Sequence, residues 1–351
     1  MAAQNPSDSP ILIVPYMWIG DFVRGHSVVK VLRQRWPGRP IDMLTTSLCA
    51  PLIDYMPGVR KGIEWNLPRR RLPLGQYFAL AARLRRERYG TALILLRTWK
   101  SALAPFLAGI PERVGFAGEA RFVLLNDVRW GEYRLERMVD RCGALALPKG
   151  AAFPAEWPRP ELIVPKSEIA AWRAARGLDE EARSVVALCP GAVGRGKRWP
   201  AERFAALAGH LTSRGVAVWV LGGPNETPLA AQIVQSGGAL ARDLTGTDLR
   251  NAILALAAVD AAVSNDSGLM HVAAAIGTQT VGLFGPTSPR LWAPLNPLAA
   301  TIEAEHPSPC PICGKAACGD VRHRSTEDIA LDRVADALAL TLETRARVAA
   351  Q

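Results

Sequence analysis

Short apolar runs of strand length alternate with helix-length amphipathic stretches along this chain, and the alternation runs twice. In the first series Ile11-Leu-Ile-Val14, Ile41 to Leu44 and Thr91 to Leu96 read as strands. Gly20-Asp21 opens a helix that reaches about Arg35, where Trp36-Pro37-Gly38 stops it. A Pro-rich segment from Pro148 to Pro165 interrupts the pattern, which restarts with Val185 to Leu188, Val216 to Leu221, Ala258 to Val263 and Thr280 to Phe284. Such alternation builds parallel sheets covered by helices on both faces. The expected fold class is therefore α/β, with two Rossmann-like doubly wound domains facing across a cleft. Their expected bounds are 1–160 and 161–351, and the last helix is expected to be able to pack back on the amino-terminal domain.

Size and composition agree with two domains. The chain has 351 residues, 49% of them hydrophobic, enough for two cores. No run of eighteen apolar residues occurs, and Met1 to Pro10 is polar with Asp8 where a secretory signal needs a basic start. A cytoplasmic protein is expected. The net charge of +10 implies an anionic partner: nucleic acid, an acidic membrane surface or a phosphorylated substrate.

The stretch Val259-Asp-Ala-Ala-Val-Ser-Asn-Asp-Ser-Gly-Leu-Met-His-Val-Ala-Ala-Ala-Ile-Gly277 narrows the choice. It reads as a strand, a polar break and a helix, followed by a parallel strand at Thr280 to Phe284. Asn265, Asp266, Ser267 and Gly268 then lie at the strand's carboxyl end, where doubly wound sheets bind ligands. Ser267 can cap the helix and Gly268 lets a ligand approach the backbone. The exposed first N–H groups and the helix dipole favour an anion, most often phosphate. His271 falls one turn in, on the face of Ser267. A lone histidine in an apolar helix is commonly a satisfied core residue, but beside an anion site it is a candidate ligand group.

Three further elements fall after strands. Cys189-Pro-Gly-Ala-Val-Gly-Arg-Gly-Lys-Arg-Trp-Pro200 is a Gly-rich loop with Lys197 and Arg198 just before a helix that Pro200 can begin. It lacks the phosphate-loop spacing of nucleotidases, yet the N–H groups around Gly191 and Ala192 plus a lysine suit a diphosphate; the plain alternative is a solvated basic turn. In Leu221-Gly-Gly-Pro-Asn-Glu226, Glu226 either accepts from ribose hydroxyls or is a simple helix-start glutamate. Asp21 follows the first strand, where it is either a helix cap or the best-placed carboxylate for a base.

These stretches together resemble glycosyltransferase family 9, the bacterial heptosyltransferases of lipopolysaccharide inner-core synthesis. The matching segments are Trp18-Ile-Gly-Asp21, Lys100 to Pro111, Leu124-Leu-Asn-Asp-Val-Arg129, Cys189-Pro-Gly-Ala192, Lys197-Arg-Trp-Pro200 and Asn265 to Ala275. The resemblance implies a GT-B fold, with the acceptor bound by the amino-terminal half and the nucleotide sugar by the carboxyl-terminal half. It implies ADP-L-glycero-D-manno-heptose as donor and heptosyl-Kdo2-lipid A as acceptor, with inversion at the anomeric carbon. Asp21 is then the general base and Lys197 the diphosphate contact. Gly191, Ala192, Glu226, Asn265, Asp266, Ser267, Gly268 and His271 form the nucleotide-sugar site. No cofactor is expected, because Lys197 and the helix start supply the charge that other transferases take from a divalent ion.

The basic residues and the cysteines leave alternatives. Arg69-Arg-Arg71 and Arg83-Leu-Arg-Arg-Glu-Arg88 bracket a helix pattern with Leu74, Phe78 and Ala81 in register. This reads either as a core helix with a solvated basic face or as an amphipathic surface on anionic lipid, which would make the enzyme peripheral to the cytoplasmic face of the inner membrane. Cys310-x2-Cys313-x4-Cys318-x4-His323 has the intervals of a zinc knuckle with its last two ligand types exchanged. A loop serving the anionic substrate through Asp320, Arg322 and Arg324 is preferred over zinc. Cys49, Cys142 and Cys189 read as core thiols. No nucleic-acid partner is expected, since no aromatic stacking motif of an RNA-recognition fold is present. The nearer rivals are a family 9 transferase with another acceptor and a sugar-nucleotide epimerase.

Overall fold

The computed structural model describes residues 9–66, 72–178, 184–194, 196–306, 310–315 and 318–349. The chain divides into two compact units, 1–160 and 161–351. In the first unit six strands pair in parallel: β1 (Ile11–Val14), β2 (Ile41–Thr45), β3 (Lys61–Glu64), β4 (Thr91–Ile94), β5 (Glu112–Phe116) and β6 (Asp127–Arg129). In the second, β7 (Val185–Cys189), β8 (Ala217–Val220), β9 (Ala241–Asp243), β10 (Ala261–Asn265), β11 (Gln279–Phe284) and β12 (Ala299–Glu303) do the same.

The strand orders are β3-β2-β1-β4-β5-β6 and β12-β11-β10-β7-β8-β9. Counted from the first strand of each unit, both follow the 3-2-1-4-5-6 order of the dinucleotide-binding fold, the second written from its other edge. The order reverses between β1 and β4 in one unit and between β7 and β10 in the other. Loops leaving the carboxyl ends of those strands splay apart there and leave a crevice.

The central strands are apolar on both faces because helices cover both sides. Ile11, Leu12 and Ile13 are fully buried, as are Val186, Ala187, Leu188, Ala262 and Val263. Each large side chain so buried contributes roughly 1.5–3 kcal/mol. One core joins Leu12, Val14 and Ile94 to Tyr77, Leu80 and Leu84 of the helix Leu74–Glu87. The other joins Val186, Val218 and Val263 to Phe204 and Leu207 of the helix Ala201–Thr212.

Two helices show where their apolar stripes are buried. The last helix, Leu331–Ala349, packs within its own unit on β10, β11, β12 and the helix Ala201–Thr212. Val334 and Leu338, one turn apart, are buried in that core with Ile302 and Ile329, which gives its apolar stripe a local partner. The helix Leu74–Glu87 buries Tyr77, Leu80, Ala81 and Leu84, whereas Leu74 and Phe78 are exposed. Tyr77 rather than Phe78 thus sets the buried stripe. Among the described residues no helix is long and apolar enough to cross a membrane.

Candidate active site

The crevice at the switch point of the second unit is built by the loop after β7 and the start of the helix Gly268–Ile276 after β10. Asn265, the last residue of β10, is fully buried and ties the two together. Its Oδ1 accepts from the Trp199 backbone N–H at 3.1 Å, and its Nδ2 donates to the Pro190 carbonyl at 2.7 Å. Asp266 comes next and is 8% exposed. Its Oδ2 accepts from Lys197 Nζ at 2.7 Å and from Thr287 Oγ1 at 2.7 Å. A carboxylate cannot donate to a phosphate, and its charge repels one. Asp266 therefore acts by holding the Lys197 ammonium and the Thr287 hydroxyl at the mouth of the helix.

Ser267 does not cap that helix, contrary to expectation. It holds the N-cap position with the extended backbone usual there, but its side chain makes no cap hydrogen bond and its hydroxyl lies 3.1 Å from Ser264 Oγ instead. The first-turn N–H groups thus have no side-chain cap and project toward the crevice with the positive end of the helix dipole. This arrangement favours a dianion or diphosphate more strongly than a capped start would.

The Gly-rich loop is held from several sides. A Cβ on Gly191 would lie 3.0 Å from Glu226 Cδ, so the loops after β7 and β8 approach at a glycine. Glu226 Oε2 accepts from the Gly223 N–H at 2.9 Å, which closes its own turn. Ala192 is buried, and its carbonyl accepts from Arg198 Nε at 2.8 Å. Gly196 has φ +73°, a left-handed conformation that a side chain would strain. Its carbonyl accepts from the Thr326 N–H at 2.9 Å and from Thr326 Oγ1 at 3.1 Å. Pro200 stands just before the helix Ala201–Thr212, at its N-cap.

In the first unit Asp21 lies in the first turn of the helix Ile19–Arg24, directly after β1. It is not a cap: that helix has no side-chain cap hydrogen bond, and Trp18 holds the cap position. Asp21 Oδ1 lies 3.3 Å from Arg24 Nη1. Around it the buried polar groups are more numerous than sequence reasoning anticipated. Burial, with Cys142, Glu132 and Asp21 close by, raises the Tyr16 phenol above its ordinary range, so it remains a hydrogen-bond donor. Glu132 is also buried and pairs with Arg97 Nε at 2.9 Å. Burial raises its carboxyl above the ordinary value, while Arg97, Arg141 and Arg121 pull it down. Burial lowers Arg121 to about 10, and its guanidinium donates to the Phe116 and Leu96 carbonyls. It fastens the loops after β4 and β5. Past β5 and β6 the rings of Phe122 and Trp130 stack with centroids 5.8 Å apart, and both are exposed, as are Val123 and Tyr133. Since β1, β4, β5 and β6 are parallel, these groups leave the same sheet edge as Asp21.

Several sequence candidates lie elsewhere. His271 is buried one turn into its helix, at 4% exposure, beside Met270 and Val272. Trp199, inside the matching segment Lys197 to Pro200, packs edge-on against Phe204 and donates to the Ile329 carbonyl, so its ring belongs to the core. Cys49, Cys142 and Cys189 are buried free thiols. Arg69, Arg70 and Arg71 lie outside the described residues. Asp320 and Arg322 satisfy one another, and Arg324 pairs with Glu303 at 2.7 Å, so the substrate loop expected there is spent on internal pairs. Thr287 and Ser264 were missed because isolated hydroxyls carry no spacing signal. Glu132 was missed because its burial depends on arginines 35 and 9 residues away in sequence.

Two Rossmann-type sheets, one with an uncapped helix start and a held lysine at its switch point, define the class of nucleotide-binding α/β proteins. Comparison with known proteins narrows the class. The description of glycosyltransferase family 9 (heptosyltransferase) matches residues 77–317. Lipopolysaccharide heptosyltransferase 2 of Escherichia coli K12 is 37% identical over 356 residues, covering 96% of this chain and 99% of that protein. The solved structure of the E. coli ADP-heptose lps heptosyltransferase II is similar with a TM-score of 0.81 and 34% identity, covering 96% of this chain and 99% of that one. Lipopolysaccharide heptosyltransferase 1 of the same strain is 33% identical over only 98 residues, 27% of this chain and 30% of that protein. The chain belongs to glycosyltransferase family 9, and its fold is the α/β GT-B fold.

Proposed function

We propose that this protein transfers L-glycero-D-manno-heptose from ADP-heptose to heptosyl-Kdo2-lipid A, with inversion, in lipopolysaccharide inner-core synthesis. The observation that carries the reading is the pairing of Lys197 with Asp266 at the uncapped start of the helix Gly268–Ile276. Departure of ADP builds negative charge on the diphosphate. A lysine held in place and a row of N–H groups stabilise that charge without reorganising. Asn265 fixes the loop, and Asp266 and Thr287 orient the lysine. Gly191 and Ala192 offer backbone toward the nucleotide, and Glu226 stands by the same loop for the ribose. His271 supports the helix from beneath.

In the first unit Asp21 is the base that takes the proton of the acceptor hydroxyl as the new bond forms. Neighbouring Tyr16 donates a hydrogen bond, and the exposed rings of Phe122, Trp130 and Tyr133 suit the faces of acceptor sugars. One displacement at the anomeric carbon inverts its configuration. Similarity along nearly the full length to heptosyltransferase 2, against 98 residues with heptosyltransferase 1, favours the second heptose transfer over the first.

The acceptor's lipid anchor calls for a membrane-facing surface. The helix Leu74–Glu87 exposes Leu74 and Phe78 one turn apart, with Leu72 beside them and Arg83, Arg85 and Arg86 further along. This supports peripheral attachment to the anionic cytoplasmic face of the inner membrane. The test of the whole reading is ADP release with each acceptor. An epimerase works with no acceptor, whereas a second heptosyltransferase turns over only with the heptosylated one.

A further inference from the structure

Between β12 and the last helix lies a cluster that the transfer reaction does not use. One ligand atom each from Cys310, Cys313, Cys318 and His323 comes within 4.8 Å of all the others. Cys313 Sγ lies 3.5 Å from Cys318 Sγ, and His323 Nδ1 lies 3.5 Å from Cys318 Sγ and 3.8 Å from Cys310 Sγ. A tetrahedron with Zn–S of about 2.3 Å and Zn–N of about 2.0–2.1 Å has edges of roughly 3.8 Å between sulfurs and roughly 3.6 Å between sulfur and nitrogen. The three separations given above lie within about 0.3 Å of those edges, and the remaining ones stay within 4.8 Å.

The local backbone is shaped for such a site. The Cys310 carbonyl accepts from the Gly314 N–H at 2.8 Å and the Cys310 N–H donates to the Lys315 carbonyl at 2.9 Å, which folds Cys310 to Lys315 into a tight knuckle. Gly314 has φ +71°, which a residue with a side chain adopts only at a cost. The N–H groups of Cys313 and Ile312 point at the Cys310 sulfur. Behind the histidine, Asp320 Oδ2 stands 3.9 Å from Nε2, on the side away from the sulfurs. That separation is longer than a hydrogen bond and the same oxygen accepts from Arg322, so the carboxylate adds negative charge beside the imidazole without bonding it. Three thiols and an imidazole form a soft, closed, four-member donor set of the kind that holds structural zinc and leaves no position for substrate.

We infer that Cys310, Cys313, Cys318 and His323 bind one structural zinc ion, and that this ion anchors the segment supporting the Lys197 loop. Three residues beyond His323, Thr326 holds the Gly196 carbonyl, and Ile329 accepts from Trp199 Nε1 and Arg203 Nη1. Loosening the knuckle therefore loosens the loop on which Lys197 sits. This second half rests on the donor-site reading, whereas the metal itself does not.

The test is elemental analysis of the reduced, dialysed protein, alongside cobalt substitution and ADP titration. The expected result is about one zinc per chain, replaceable by cobalt with the intense absorption of tetrahedral thiolate coordination. Cys313→Ser combined with Cys318→Ser should lose the metal, lower the melting temperature and weaken ADP binding about threefold to thirtyfold. His323→Cys, which keeps four ligands, should retain zinc, so a folding defect in the double variant does not decide the matter. A wild-type chain that takes up no zinc under reducing conditions, that holds iron instead, or that pairs Cys313 and Cys318 in a disulfide overturns the inference. Wild-type protein that holds zinc but binds no ADP leaves the metal site standing and removes the donor-site reading.

Discussion

Asp21 and Lys197 carry opposite halves of the proposed chemistry, and their variants should fail differently. Asp21→Asn keeps the size of the side chain but removes its basicity, so turnover should fall about 10²- to 10⁴-fold while ADP affinity stays near wild type. Steady-state rates paired with calorimetric titration of ADP separate the two quantities. Equal loss of both would sink the base assignment. Lys197→Met removes a charge-assisted contact of about 1.5–3 kcal/mol, so ADP should bind roughly 10- to 150-fold more weakly. Thr287→Val, which strips only one neutral bond from Asp266, should cost less than Lys197→Met in the same titration. If the two cost the same, Asp266 rather than the lysine is the group that matters to the nucleotide.

The elements differ in how far sequence reveals them, and burial is the reason. Strands β1, β2, β4, β7, β8, β10 and β11 lie inside their sheets and read as apolar runs. All four edge strands escaped notice, β3 reading Lys-Gly-Ile-Glu, β6 Asp-Val-Arg, β9 Ala-Arg-Asp and β12 Ala-Ala-Thr-Ile-Glu, and so did interior β5, whose Glu-Arg-Val-Gly-Phe opens with two charged residues and carries no apolar run. Edge strands are short, charged and wet on one side, as protection against pairing with other chains, so they carry little hydrophobic signal. The second unit's candidate site could be read from Asn265 to Gly268 because these residues are contiguous on one strand–helix turn, whereas His271 is buried one turn further into the helix. The surroundings of Asp21 were not, because Tyr16, Glu132, Arg97 and Cys142 meet only in the folded unit. A close helix contact offers a test at this scale. Gly143 lies on the helix Met138–Ala146 where an added Cβ would fall 2.3 Å from the Trp157 ring. Gly143→Ala should lower stability by about 1–3 kcal/mol in chemical denaturation, and an unchanged midpoint would contradict that packing.

For the whole molecule, the net charge of +10 and the exposed Leu74 and Phe78 bear on where it works. Sedimentation with vesicles carrying anionic lipid should retain the protein at low salt and release it as ionic strength rises. Phe78→Glu should reduce retention without changing turnover on a soluble, delipidated acceptor. Retention indifferent to salt and to Phe78 would remove the membrane surface from the account. The reaction itself is tested most directly by ADP release from ADP-heptose with purified protein, comparing heptosyl-Kdo2-lipid A, Kdo2-lipid A and no acceptor. Release that depends on the heptosylated acceptor is the expected result. Release with no acceptor, or faster release with Kdo2-lipid A, would contradict the second heptose transfer.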